Sequence, residues 1–192
     1  MDDFNRQFEA NQEKQKYSST GTSLLFNGAL AYLFWKYAWA SPDGDSLCFA
    51  GELGTAVSTE KGEDLTNVTH LFHLWFVIGF VTKCLGVVHA ILNFIVPMSL
   101  RSVTGPVTML GFLSLSSGLA FIIWGSVMRW SNAAKVCSGD LYIGTEYEPK
   151  PYLWASGYFI SLYLTIMLWI LGLCCGCICC IGCCVGVAAS QG

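Results

Sequence analysis

Apolar positions along the chain gather into four long blocks, at about 20–40, 67–96, 107–128 and 152–173. Each block holds about 20 or more mostly apolar residues, the length that a helix rising 1.5 Å per residue needs to cross a hydrocarbon core of about 30 Å. Polar stretches separate them: an acidic loop at 41–66, a short turn at 97–106 carrying Arg101, and a second loop at 131–151. A short turn between two long loops predicts an all-α, up-down-up-down bundle of four membrane-spanning helices. Residues 1–19 are polar and mixed in charge, with Asp2, Asp3, Glu9 and Glu13 against Arg6, Lys14 and Lys16. There, Phe4, Phe8 and Ala10 are spaced for a short interfacial helix, with a frayed terminus as the alternative. Ala38-Trp39-Ala40 resembles a signal-peptide cleavage site, but an acidic start and a 40-residue reach read better as an uncleaved signal anchor.

Composition narrows the classes. Of 192 residues, 54% are hydrophobic and only 12% charged, and mean hydropathy is +0.52. A soluble domain of this size could not bury that much apolar surface. The net charge of -3 offers no basic surface, so no nucleic-acid partner is expected.

Orientation rests on the cysteines. With both termini on one side, the charges outside the spans divide evenly: Arg6, Lys14, Lys16 and Arg101 against Lys61, Arg129, Lys135 and Lys150. The positive-inside rule therefore favours neither orientation. Cys48 and Cys137 each stand alone in a long loop on the same face, which reads as a disulfide in an oxidising compartment. That puts both termini in the cytosol and the chain in the plasma membrane or a secretory-pathway membrane. Asn67-Val68-Thr69 is a glycosylation sequon on the outer face, but it abuts the bilayer and is expected to stay unmodified.

Glycine recurs at intervals of seven: Gly21 and Gly28 in the first span, Gly79 and Gly86 in the second, Gly111, Gly118 and Gly125 in the third. Seven residues make about two helical turns, so each set lines one face. Such stripes predict close backbone approach at left-handed crossings. If glycine fills the core faces, Phe76, Phe80, Phe121, Trp124 and Trp169 must meet lipid or a neighbouring copy. Trp35, Trp39, Trp75, Trp130, Tyr152 and Trp154 fall near span ends and read as interfacial belts.

Candidate chemistry is sparse. Lys83 lies mid-span with no acidic residue in any span, and Asn93 continues its stripe. The pair marks either an ion pathway or a lysine satisfied by snorkelling, by backbone carbonyls or by Ser114, Ser116 or Ser117. His70 and His73 are spaced to share a metal ion, yet no third ligand is evident and His89 lies farther inward. The tail at 174–192 holds Cys174, Cys175, Cys177, Cys179, Cys180, Cys183 and Cys184. Metal-cluster spacers are missing and a disulfide framework conflicts with a cytosolic tail. S-acylation at the membrane boundary or simple burial of small residues remain, and either keeps the tail membrane-associated. Catalytic motifs such as G-x-S-x-G, a Walker loop or H-E-x-x-H do not occur, so no enzyme is expected.

Four spans, cytosolic ends and two cysteine-bearing outer loops resemble MARVEL-like and claudin-like tetraspan proteins. The likeness covers nearly the whole chain as topology alone. Residues 41–66 contain no Trp and only Cys48, unlike the claudin first loop, and Cys174-Cys175-Gly176 lies in the tail rather than in a tetraspanin outer loop. The resemblance implies lateral assembly and membrane organisation. The expected function is thus a non-enzymatic protein that self-associates and scaffolds or curves the membrane. Its expected partners are lipids and other copies of itself, in arrays or tubules, with no cofactor beyond bound lipid. The alternative is a small channel or transporter subunit with Lys83 and Asn93 along its pathway.

Overall fold

The computed structural model describes residues 2–51, 57–58, 60–62, 64–96, 105–140 and 152–190, with side chains from Lys14 to Cys175 apart from Lys16, Val57 and Pro106. Arg101, Lys150 and the side chains of Arg6, Cys177, Cys179, Cys180, Cys183 and Cys184 lie outside the described residues.

Among the described residues five helices dominate: α1 (Asp2–Trp39), α2 (Val68–Ile95), α3 (Gly105–Arg129), the short α4 (Asn132–Ser138) and α5 (Trp154–Ser190). Among the described residues, three segments are long and apolar enough to cross a membrane: Val68–Ile95, Val107–Arg129 and Trp154–Cys175. They mark the chain as a membrane protein. Helix α1 falls below that threshold, with Asn27 and Lys36 inside its apolar half.

Local chemistry sets the boundaries. Helix α1 runs unbroken from the polar N-terminal residues through the first apolar block, because Gln, Glu, Lys and Ala there all favour helix. It stops before Ser41-Pro42, where proline disfavours helix in the residue preceding it. Asn67 caps α2, its side-chain oxygen accepting the His70 N–H at 2.9 Å. Ser131 caps α4, and Gly139, at φ 84°, ends it in the left-handed region that glycine tolerates best. Helix α5 continues through the cysteine run to Ser190.

The described parts of the loops carry secondary structure. The first carries a small antiparallel sheet of β1 (Phe49–Ala50), β2 (Val57–Ser58) and β3 (Thr66–Asn67), in the order β2-β1-β3. Phe49 pairs with Ser58 on one side and Asn67 on the other, so the fold is not purely helical. Two-residue strands carry too little periodicity to be read from sequence.

Aromatic rings fill the core. Phe34 of α1 is fully buried and lies 5.2 Å from Trp75, 5.6 Å from Phe121, and 5.8 and 5.2 Å from Phe159 and Tyr163, centroid to centroid. It thereby touches rings of α2, α3 and α5. Trp75 stacks on Phe121 at 4.4 Å. These positions correct the aromatic expectation: Trp75, Phe76 and Phe121 are core residues, Phe80 and Trp124 pack against them, and Trp169 is 69% exposed.

Glycine makes that core possible, though not by backbone contact. A Cβ at Gly79 would sit 2.6 Å from two ring carbons of Phe34, and one at Gly125 would collide with the indole nitrogen of Trp75. At Gly86 it would meet the Asn27 amide at 2.9 Å, and at Gly111 the His89 Nε2 at 2.8 Å. Each is a notch that receives a side chain from the next helix. Gly21, Gly28 and Gly118 have nothing within 4 Å, which corrects their assignment to packing within the chain. The buried face of α1 is instead Ala31, Phe34 and Ala38, with half-buried Asn27 in the same register. Gly21 and Gly28 share a face one residue, about 100°, away from that of Asn27 and Phe34.

Phe34→Ala removes the ring shared by four helices and is expected to cost about 3–5 kcal/mol. Thermal unfolding in detergent, followed by loss of the monodisperse gel-filtration peak, measures this. An unchanged midpoint would remove Phe34 from the core.

Candidate functional site

The ends of α1 and α3 and the starts of α2 and α5 meet at one end of the bundle, where chemistry-bearing residues concentrate. Cys48 and Cys137 are joined by a disulfide there, with Cα atoms 6.0 Å apart and both residues buried. Backbone bonds tie the bridge into its surroundings. The Cys48 carbonyl accepts the Val68 N–H at 3.0 Å, and the Cys137 carbonyl accepts the Leu153 N–H at 2.9 Å. The bridge therefore fixes the entry of α2 to α4 and to the entry of α5.

Two acidic residues complete this end. Both Asp43 oxygens accept backbone N–H groups of the first turn of α5, from Ala155 at 3.0 Å and Ser156 at 2.9 Å. A carboxylate at a helix N-terminus satisfies donors that have no partner inside the helix and opposes the positive end of its dipole. Arg129, 2% exposed, donates through Nε to the Gly157 carbonyl at 2.8 Å and through Nη2 to Asp140 at 2.6 Å. Its Nη1 is buried and has no hydrogen-bond partner among the described residues, and the same holds for the Trp75 indole nitrogen. Ser138 fills the space left by the missing Cβ of Gly157.

Beside this cap lies a cavity of about 760 Å³. Phe72, Phe76, Leu153 and Ser156 form its buried wall, while Trp39, Asp45, His70 and His73 are its exposed lining. Among the described residues the lining contains one carboxylate, Asp45, and no lysine or arginine. Its chemistry suits a small cationic or uncharged group at the level of the helix ends. The sequon sits on its edge: Asn67 is occupied as the α2 cap, and Thr69 Oγ1 accepts the Cys48 N–H at 2.9 Å.

The intramembrane polar residues do not converge on this cavity. Lys83 Nζ lies 5.6 Å from the centroid of the Tyr163 ring, a cation–π arrangement. Asn93 Nδ2 is 2.9 Å from His89 Nε2, one turn back on α2, and His89 in turn occupies the Gly111 notch. Ser116 and Ser117 donate to carbonyls of their own helix, Leu113 and Ser114. His70 and His73 line the cavity together, and among the described residues no three His, Cys, Asp or Glu side chains gather as a metal site.

Sequence reasoning located the cysteine pair and missed the rest of the cap. Asp43 caps a helix more than 110 residues away, a pairing that no local pattern encodes. Arg129 reads in sequence as a loop charge beside a span, and only the return of α5 buries it. Its position in the last turn of α3, next to an apolar span, was the available signal.

Replacing both Cys48 and Cys137 by Ser is expected to cost about 2–4 kcal/mol. Asp43→Ala should cost about 1 kcal/mol through loss of the cap. Denaturation in detergent checks both, and non-reducing peptide mapping should recover the Cys48–Cys137 linkage. Free thiols at both positions in native membranes would contradict it. No family model, curated protein or solved structure matches the chain, so its own residues carry the functional reading.

Proposed function

We propose that this chain is a non-enzymatic four-span membrane protein that assembles laterally with copies of itself and thereby organises or curves the membrane. In this reading α1 is the first span, the helices alternate up and down with left-handed crossings, and both termini face the cytosol. The α1 core positions Ala31, Phe34 and Ala38, spaced three and four, support left-handed packing, as do Val68, Phe72, Trp75 and Gly79 on α2. A disulfide at the opposite end from the tail supports the orientation.

One observation carries the assembly. Inside the chain, glycine notches are filled by side chains from neighbouring helices; on the exterior, the same two parts stand unmatched. Gly21, Gly28 and Gly118 are open, while Phe112 is 70% exposed and Phe26, Tyr32, Met109 and Trp169 project from the bundle. In lipid, helix association depends on close van der Waals packing rather than on a hydrophobic drive. A second copy offers rings to notches and notches to rings, which lipid tails match less specifically. Four long helices with little polar mass beyond them suit a scaffold better than an enzyme. The channel reading gains no support from Lys83 and Asn93, which are engaged with Tyr163 and His89.

Mass photometry in lipid nanodiscs, with crosslinking in intact membranes, tests the proposal. Wild-type protein should form oligomers, and Gly28→Leu with Gly118→Leu should shift them toward monomers without lowering the unfolding midpoint. Only monomers across a wide protein-to-lipid range, or oligomers unaffected by both substitutions, would overturn it.

A further inference from the structure

The chain carries two populations of cysteine at opposite ends of α5. Cys137, bonded to the residue preceding this helix, is oxidised and buried with Cys48. Cys174 and Cys175 are free and exposed at the other end of the apolar segment Trp154–Cys175. Those 22 residues span about 33 Å at 1.5 Å per residue, close to one hydrocarbon thickness. The stacked rings of Trp154 and Tyr158 suit the interface at one end, which leaves the two thiols at the other. Neighbouring Trp169, Ile170 and Leu173 are exposed as well, so this part of α5 presents an apolar surface to lipid. Cys84, by contrast, is half-buried within α2.

We propose that Cys174 and Cys175 are S-acylation sites, each esterified by a long-chain fatty acyl group at the inner membrane face. This rests on the orientation proposed above, since the fatty acyl-CoA donor is cytosolic. The thiolate sulfur attacks the acyl carbonyl, a new sulfur–carbon thioester bond forms, the donor's carbon–sulfur bond breaks, and coenzyme A leaves as the thiol. One thioester replaces another with no change of oxidation state. The added chains enter the leaflet beside Leu173 and hold the onward stretch of α5, which continues to Ser190, against the membrane.

The full-length chain is expressed in eukaryotic cells, its free thiols are blocked with N-ethylmaleimide, and thioesters are cleaved with neutral hydroxylamine. Released thiols are then tagged with maleimide–polyethylene glycol, one gel step per site. Wild type should give a hydroxylamine-dependent ladder, Cys174→Ser or Cys175→Ser should each shorten it by one step, and the two together by two. No hydroxylamine-dependent step, or a ladder of unchanged length, overturns the acylation. A second arm replaces Cys177, Cys179, Cys180, Cys183 and Cys184 by Ser, blocks acylation, and applies a membrane-impermeant maleimide. Labelling of Cys174 and Cys175 only after permeabilisation supports the cytosolic side. Labelling of intact cells overturns the orientation itself and the acylation with it, whereas a missing ladder with cytosolic labelling overturns the acylation alone.

Discussion

The ring of Phe34 occupies a space that exists because position 79 has no side chain, and much of the bundle follows from that fit. Seated against Gly79, the ring reaches Trp75 on the same neighbouring helix α2, Phe121 on α3, and Phe159 and Tyr163 on α5. In water such a cluster would be driven together by burial. In lipid the alternative to each contact is a hydrocarbon tail, and what remains is shape and ring geometry, with about 0.5–1.5 kcal/mol per aromatic pair. Stacking of Trp75 on Phe121 depends in turn on Gly125, whose missing side chain leaves room for the indole. Two notches thus set the spacing of three helices around a residue of the fourth.

The disulfide end is held by a different kind of force. Polar ties converge on the start of α5: a carbonyl from Cys137, a carboxylate from Asp43 and the Arg129 guanidinium on Gly157. Backbone groups at a helix entry must find partners wherever water is scarce, and here distant segments supply them. The cavity beside this cap is framed by the same elements, so the polar ties that fix α5 also fix its shape. At the opposite end α5 runs on through small cysteines and glycines with no comparable set of ties among its described residues.

Helix content, the three apolar spans and the Cys48–Cys137 pairing were legible in the sequence, because segment length, hydropathy and isolated loop cysteines are local signals. Glycine periodicity was legible only as a face, not as an address. Gly79 and Gly118 look alike in sequence, yet one receives a ring and the other opens outward, since only tertiary placement decides which face of a helix meets a neighbour. Trp75 escapes sequence reasoning on the same ground: an aromatic near a span end suits an interface equally well until the rings around it are known. The Asp43 cap on α5 and the Arg129 bond to the Gly157 carbonyl join segments 112 and 28 residues apart, which no spacing rule records.

A double-mutant cycle between Phe34 and Gly79 tests the fit of ring to notch most directly. Gly79→Ala places a methyl group where the Phe34 ring now lies, and Phe34→Leu trims that ring away. If the ring depends on the notch, the double variant unfolds at a higher temperature than Gly79→Ala alone, with a coupling of about 0.5–3 kcal/mol. Strict additivity, with the two substitutions lowering the midpoint independently, would show that the ring and the notch do not depend on each other and would contradict that dependence.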